Sequence, residues 1–393
     1  MNEAVIVAGV RTAVGAFGKS LKNVPATEMG RQVLEGLMNK TTIEKEDVNE
    51  VIFGHGYVHG GGLNSARISS QLAGFPASVP GSVVIKACGS GLKAITNAAL
   101  TIQTGQEEVI IAGGVESMSQ VPYLVKNRWG SKFGNLEMED ALLTDGLICS
   151  LEKEHMGMTA ERLAEIYGIS REEQDQFALE SHKKAARAIE NHYFEEEIIP
   201  LEVKDRKGNY FFQTDESVRM DIQVGKLTKL PPAFKKDGLI TAGNACPMND
   251  GAAAVLMMSK EKAEARGIKP LLKVRAFASA GVEANVMGIG PVPATKKALQ
   301  KAGLTLDQIG RIELNEAFAA QALAVIKELD LDPEKVNVNG GAIALGHPVG
   351  ATGAKLTVTL MNEMLRTNTK YGMVTLCMAG GMGLSVIYEN LCL

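Results

Sequence analysis

Two cysteines and one histidine stand in glycine-rich frames that packing alone does not require. Cys88 lies in Lys86-Ala87-Cys88-Gly89-Ser90-Gly91-Leu92-Lys93-Ala94, and Cys377 opens Cys377-Met378-Ala379-Gly380-Gly381-Met382-Gly383. Between them, His347 ends the run Gly340-Gly341-Ala342-Ile343-Ala344-Leu345-Gly346-His347 and is followed by Pro348. A thiol, an imidazole and a second thiol, each beside exposed backbone amides, are the parts of an acyl-transfer site with two proton-handling steps.

Each residue carries two readings. Cys88 follows a strand pattern and precedes a helix opened by Gly89-Ser90-Gly91. At a helix N-terminus the partial positive charge draws a thiol pKa from about 8.5 toward neutrality, so Cys88 is expected to be a nucleophile that still needs a base. The alternative is a small buried cysteine packed at a helix start. His347 is either that base or a structural histidine satisfied by its neighbours. Cys377 moves a proton on and off carbon beside Ala379-Gly380-Gly381, a run whose amides could form an oxyanion hole, or it simply ends a strand beside a tight turn. Asn315, in Asn315-Glu316-Ala317-Phe318-Ala319, holds a water or a carbonyl oxygen, or it caps the following helix. Cys149 and Cys392 read as ordinary packing residues. His55, His59, His182 and His192 have no clear chemical frame, and Gly56 interrupts the His55/His59 spacing that a metal would need.

The elements that must position these groups alternate. Strands are expected at Val5–Ala8, Val48–Phe53, Ser82–Ile85 and Val109–Ala112, with helices at Thr27–Asn39, Asn64–Ala73 and Ser90–Gln103. This rhythm predicts a mainly parallel sheet covered by helices on both faces. Residues 120–245 break the rhythm with higher charge and one well-signalled helix, from the capping box Ser170-Arg171-Glu172-Glu173 to about Tyr193. The rhythm returns from Ala252, with strands at Arg311–Leu314, Val336–Val338, Gly372–Leu376 and Leu384–Tyr388 and helices at Ala317–Leu329 and Gly350–Arg366. The stretch from Cys88 through the strand ending Ala112-Gly113-Gly114 parallels that from His347 through Cys377 to Gly380. A duplicated unit explains this, as does chance similarity of two strand–helix–strand segments.

Composition excludes several classes. The chain has 393 residues, 45% hydrophobic and 22% charged, which suits a soluble globular protein of two or three domains or one large one. A net charge of −4 favours neither nucleic acid nor a membrane surface. Five cysteines without regular spacing make no disulfide framework, and a reducing, cytoplasmic setting is expected. No leader pattern and no bilayer-length apolar run is present. The sequence contains no Walker A loop, strand-to-helix GxGxxG, HExxH or GxSxG, so no metal and no cofactor is expected.

The motifs together resemble the thiolase family along nearly the whole chain. Arg11-Thr12, the Cys88 frame, Gly113-Gly114-Val115-Glu116-Ser117-Met118-Ser119, Thr241-Ala242-Gly243-Asn244, Asn249-Asp250-Gly251-Ala252, Asn315-Glu316-Ala317-Phe318 and the stretch around His347 occur in the family's order. The resemblance implies an α/β protein with a duplicated five-layered α-β-α-β-α core and an inserted loop domain. Residues 1–119 plus 246–268 would form the N-terminal half, 120–245 the insertion for CoA binding and oligomerisation, and 269–393 the C-terminal half. By the same resemblance, Cys88 accepts the acyl group, and His347 is its base and part of one oxyanion hole with a water held by Asn315. Cys377 serves as acid and base at carbon, and the amides of Cys88 and Ala379 form the second oxyanion hole. CoA thioesters are the substrates: two acetyl-CoA condense reversibly to acetoacetyl-CoA plus CoA.

Three segments are similar to the short-chain biosynthetic subgroup: His155-Met156-Gly157, Met287-Gly288-Ile289-Gly290-Pro291, and the loop 121–146, through which that subgroup forms tetramers. The resemblance therefore implies a homotetramer, a dimer of dimers, with substrate-binding positions at His155, Met156, Arg219, Lys226, Phe234, Ala242, Cys246, Met287 and Phe318. Three residues depart from the family. Cys246 replaces a usual serine beside the pantetheine arm and makes a poorer hydrogen-bonding group. Ala379 stands where glycine is usual, and its methyl would crowd the site; Lys226 stands where relatives can carry a small hydroxyl residue near the nucleotide. A degradative 3-ketoacyl-CoA thiolase of broader chain length is the competing enzyme. A non-condensing CoA-binding relative would have lost one of Cys88, Asn315, His347 and Cys377. A ketoacyl-carrier-protein synthase would carry histidine or asparagine in place of Cys377.

Overall fold

In the computed structural model, residues 2–206 and 208–393 are described. The N-terminal half contributes strands β1 (Ala4–Thr12), β2 (Glu50–Gly54), β3 (Gly81–Val84), β4 (Val109–Ser117) and β5 (Asn249–Ser259). Every residue of β1, β4 and β5 is buried, as their apolar runs require of strands covered on both faces. The C-terminal half contributes β6 (Leu272–Gly281), β7 (Arg311–Leu314), β8 (Tyr371–Met378) and β9 (Met382–Asn390). The strand order is β7-β8-β9-β6-β1-β5-β4-β2-β3. The halves join edge to edge through only two residue pairs, Val5 with Lys273 and Ile6 with Leu272.

The principal helices are α1 (Ala26–Met38), α2 (Ser65–Leu72), α3 (Ser90–Gln103), α4 (Met156–Tyr167), α5 (Arg171–Glu190), α6 (Pro291–Ala302), α7 (Ala319–Leu329) and α8 (Thr352–Arg366). One apolar cluster unites Leu92, Ile95 and Ile102 of α3 with Leu356 and Leu360 of α8 and with residues of both halves' strands, among them Ile110, Val255, Val374 and Val386. The two helices therefore form a middle layer between the sheets. Helices α1 and α2 cover the outer face of one sheet, and α6 and α7 that of the other. Five layers result, α-β-α-β-α.

The strand pairing corrects the expectation of a mainly parallel sheet. β4 pairs with β2, and β2 with β3, in parallel, but β5 runs antiparallel to both β4 and β1. The second half repeats the pattern: β7–β8 is parallel, and β8–β9 and β9–β6 are antiparallel. The physical reason is plain in the second half. β8 and β9 are joined by Ala379-Gly380-Gly381, and a connection that short returns the chain only antiparallel. The expected strand Val336–Val338 is reduced to a single bridge from Val336 to Ile312, at the place β3 holds in the first half.

The insertion separates β4 from β5. Helix α5 has the expected capping box, with the Ser170 hydroxyl accepting from the Glu173 N–H, and it stops at Glu190 because His192 turns left-handed at φ 59°. Two short ribbons, Tyr123–Leu124 with Glu139–Asp140 and Leu201–Val203 with Tyr210–Phe212, complete it. Arg11 anchors this stretch to the core. Its buried guanidinium grips Asp215 with two N–H groups, at 2.8 and 2.9 Å, and donates to Glu197 at 2.6 Å. Removing one partner of such a buried cluster leaves the others uncompensated, at a cost of about 3–5 kcal/mol. Among the described residues, no helix is long and apolar enough to cross a membrane.

Candidate active site

The two middle-layer helices bring the chemistry together by their N-termini. Cys88 stands two residues before the first residue of α3, and His347 five residues before the first residue of α8. The helices can approach because Gly353 presents no side chain: a Cβ there would lie 2.4 Å from the Leu92 nitrogen. Ala87 adopts φ 47°, a left-handed conformation unusual for a residue with a Cβ, as the chain turns from β3 into α3. The Ser90 hydroxyl holds that turn, donating to the Ala87 carbonyl at 2.7 Å and accepting from the Lys86 N–H at 2.8 Å.

Cys88, Cys246, His347, Ala379 and Gly380 line one cavity of about 310 Å³. Its apolar wall includes Leu147, Met156, Met287 and Phe318, and Tyr57 and Val349 close another side. The helix N-terminus does not lower the Cys88 pKa as expected. Burial pushes the thiol up to about 11, and the N–H groups of Ala379 and of Cys88 itself pull it back only in part. Desolvation of a charge outweighs a helix-end effect worth roughly 0.3–1 kcal/mol. Cys88 therefore rests as a thiol, and a thiol that is to attack needs a base acting as the bond forms.

His347 has the protonation state such a base needs. Burial, and then the charge of Lys355, hold its pKa down to about 3, so the imidazole is neutral. The Thr352 hydroxyl donates to the Pro348 carbonyl at 2.8 Å and faces His347 Nδ1 at 2.7 Å. With its only proton used, that oxygen accepts, which puts the imidazole hydrogen on Nδ1 and leaves a lone pair on Nε2. The His347 backbone N–H donates to Asn249 Oδ1 at 2.8 Å, and Lys355 Nζ donates to the carbonyl of Gly346 at 2.9 Å.

Cys377 lies in β8, fully buried, and its pKa is raised well above the ordinary value by burial and then by the neighbouring thiols Cys88 and Cys246. Gly380 and Gly381 take φ 81° and 79°, which turns the chain back into β9, while Ala379 keeps ordinary backbone geometry. The Ala379 amide thus remains available, and its N–H serves the Cys88 sulfur. Asn315 is not a helix cap: α7 starts at Ala319 after Phe318. Its side-chain oxygen and nitrogen are both buried without a partner, an arrangement that suits a bound water or carbonyl.

The binding candidates separate by place. Met156, Cys246, Met287 and Phe318 line the cavity. His155 stacks on Phe234 at 4.5 Å, and Phe234 meets Phe318 edge-on at 6.0 Å, so this aromatic row backs the same wall. Arg219 and Ala242 line a second hollow of about 310 Å³ that reaches Ala245, next to Cys246. Lys226 lines neither; it is exposed and paired with Asp221 at 3.2 Å. Burial pushes the Cys246 thiol up to about 12, so it is a neutral wall group. Cys149, read from sequence as ordinary packing, also lines the cavity. Thr352 gave no signal until the helix brought it under the imidazole. Among the described residues, no cluster of three or more His, Cys, Asp or Glu can hold a metal.

The chain matches the family models for the thiolase N-terminal domain over residues 4–261 and the thiolase C-terminal domain over residues 268–390. It is 50% identical to an acetyl-CoA acetyltransferase of Pseudomonas aeruginosa over 98% of this chain and 99% of that one. The crystal structure of the Bacillus anthracis acetyl-CoA acetyltransferase is similar with a TM-score of 0.98 and 46% identity, covering 100% of this chain and 99% of the other. Human mitochondrial 3-ketoacyl-CoA thiolase is similar with a TM-score of 0.96 and 40% identity, over 99% of each chain.

Proposed function

The chain belongs to the thiolase family, and from that premise we propose that it condenses two acetyl-CoA to acetoacetyl-CoA plus CoA, reversibly, through an acetyl group carried on Cys88. The observation that carries this reading is the meeting of Cys88, His347 and the Ala379 amide at one cavity. His347 Nε2 takes the thiol proton as the Cys88 sulfur attacks the thioester carbonyl, and the amides of Cys88 and Ala379 receive the oxyanion. The C–S bond to CoA breaks, and Cys377 gives its proton to the leaving sulfur. A buried thiolate at Cys377 is a strong base, and it recovers a proton from the methyl carbon of the second acetyl-CoA. The imidazolium of His347 and a water held by Asn315 stabilise the enolate. The carbanion attacks the acetyl carbonyl, Cys88 leaves, and the His347 proton returns to it.

The pantetheine arm runs past Cys246 and the CoA head lies toward Arg219 and Ala242, with Lys226 solvated. The bulky wall of Met156, Met287 and Phe318 favours a short acyl group. Trp129, Phe133 and Met138 in the loop 121–146 are 94%, 98% and 70% exposed, and apolar groups so placed suit contact between copies in a cytoplasmic homotetramer. Initial rates across acyl-chain lengths, in both directions, test the function. Acetyl-CoA and acetoacetyl-CoA should turn over fastest. Faster cleavage of longer 3-ketoacyl-CoA would replace this reading by the degradative one.

A further inference from the structure

Glu116 is the last residue but one of β4, its side chain wholly buried, and the reaction steps above make no use of it. Its carboxylate gathers backbone N–H groups from two loops of different halves. Oε2 accepts from Gly350 at 2.8 Å and from Gly56 at 3.0 Å, and Oε1 accepts from Tyr57 at 3.2 Å. Tyr57 and Val349 line the active-site cavity, and Gly350 is three residues from His347. The Tyr57 hydroxyl carries the tie onward to the insertion, donating to the Leu142 carbonyl at 3.2 Å.

We propose that Glu116 is a positioning residue for the condensation, its carboxylate binding the 55–57 loop and the His347 loop into one wall of the site. This rests on His347 acting as the base. Ionised, the carboxylate meets all three N–H groups as a charged acceptor, which makes each bond stronger than a neutral carboxyl would. His55 Nε2 lies 3.4 Å from Oε1, and the His55 ring is held neutral, its pKa lowered to about 4 by burial. A proton arriving on Oε1 makes that oxygen a donor toward His55 and leaves it a weaker, uncharged acceptor for Tyr57, loosening one side of the cavity wall. The other groups facing Glu116 are Tyr57 itself, Asp250 on β5 and Cys88 before α3. Burial raises Glu116 to about 7; the three N–H groups lower it, and Asp250 adds to the rise. Activity therefore falls as pH drops through about 7, because protonation loosens the wall.

The test is the pH profile of kcat for wild type, Glu116→Gln and Asp250→Asn, with single-turnover acetylation read by mass in the same samples. A glutamine sets its NH₂ against a backbone N–H in either orientation, so Glu116→Gln should lower kcat roughly tenfold, the effect of about one lost hydrogen bond, with KM for acetyl-CoA within twofold. Its acid limb near pH 7 should vanish. Unchanged kcat, or a lowered kcat with the limb retained, overturns the proposal. Should Glu116→Gln fail to fold, Asp250→Asn decides: a limb displaced to lower pH supports the proposal, and an unmoved limb overturns it. Absence of an acetyl adduct on the wild type would instead strike the condensation reading.

Discussion

The two halves share one strand order and one buried helix, yet they bring different chemistry to the middle. In the first half, the chain entering its central helix delivers a thiol, Cys88; in the second, it delivers an imidazole, His347. The last two strands of each half are antiparallel neighbours, but residues 118–248 join them in the first half and three residues join them in the second. The short connection is rigid and fixes the Ala379 amide against the Cys88 sulfur. The long one supplies Leu147, Cys149 and Met156 to the cavity and carries Arg219 in the adjoining hollow. The halves thus repeat one frame, and different residues at equivalent places on it set a thiol against an imidazole and a three-residue turn against a long insertion.

The sharpest way to break this division is Cys88→Ala. It should abolish the acetyl adduct in intact-mass analysis after brief exposure to acetyl-CoA and lower turnover by roughly a thousandfold or more. An adduct elsewhere with normal turnover would remove the first half from the chemistry. Next in size, Cys377→Ser should still yield the acetyl adduct on Cys88, formed more slowly because the leaving CoA sulfur loses its proton donor, while exchange of the acetyl methyl protons with solvent falls much further, about 10²–10⁴-fold. Equal loss of both steps would mean that the second half does not divide the labour in this way.

Thr352→Val probes the same half more gently. Without the Oγ acceptor, the Nδ1 hydrogen is no longer fixed, and kcat should fall roughly two- to tenfold with KM nearly constant, as for one hydrogen bond. A changed KM with constant kcat would make Thr352 part of the binding wall alone. The smallest effect belongs to Cys246→Ser, where a regained hydroxyl should lower KM about two- to tenfold at equal kcat. A large fall in kcat would give Cys246 a chemical step of its own.

Much of the core was legible because periodicity and burial agree there. The strand Arg311–Leu314 and the helix Ser90–Gln103 appear with the expected bounds. Sheet direction was not legible, since an apolar run buried on both faces reads alike in parallel and antiparallel neighbours. Cys88, His347 and Cys377 stood out by residue type and glycine setting, and Asn315 by its place at a strand end entering a helix. Their charge states did not: the Cys88 expectation weighed a helix end, visible in sequence, without the burial that overrides it. Cys149, Thr352 and Glu116 escaped because their roles depend on neighbours far away in the chain.

By itself, then, the sequence determined which residue types could carry an acyl group and move protons, and which stretch interrupts the strand–helix rhythm. The tertiary structure alone decided that a thiol from one half meets an imidazole from the other. It also set the imidazole hydrogen on Nδ1 through Thr352, and it gave one buried carboxylate N–H groups from two halves. The reason is physical. Residue type is local, whereas desolvation and hydrogen-bond partnership are sums over everything the fold packs around a group.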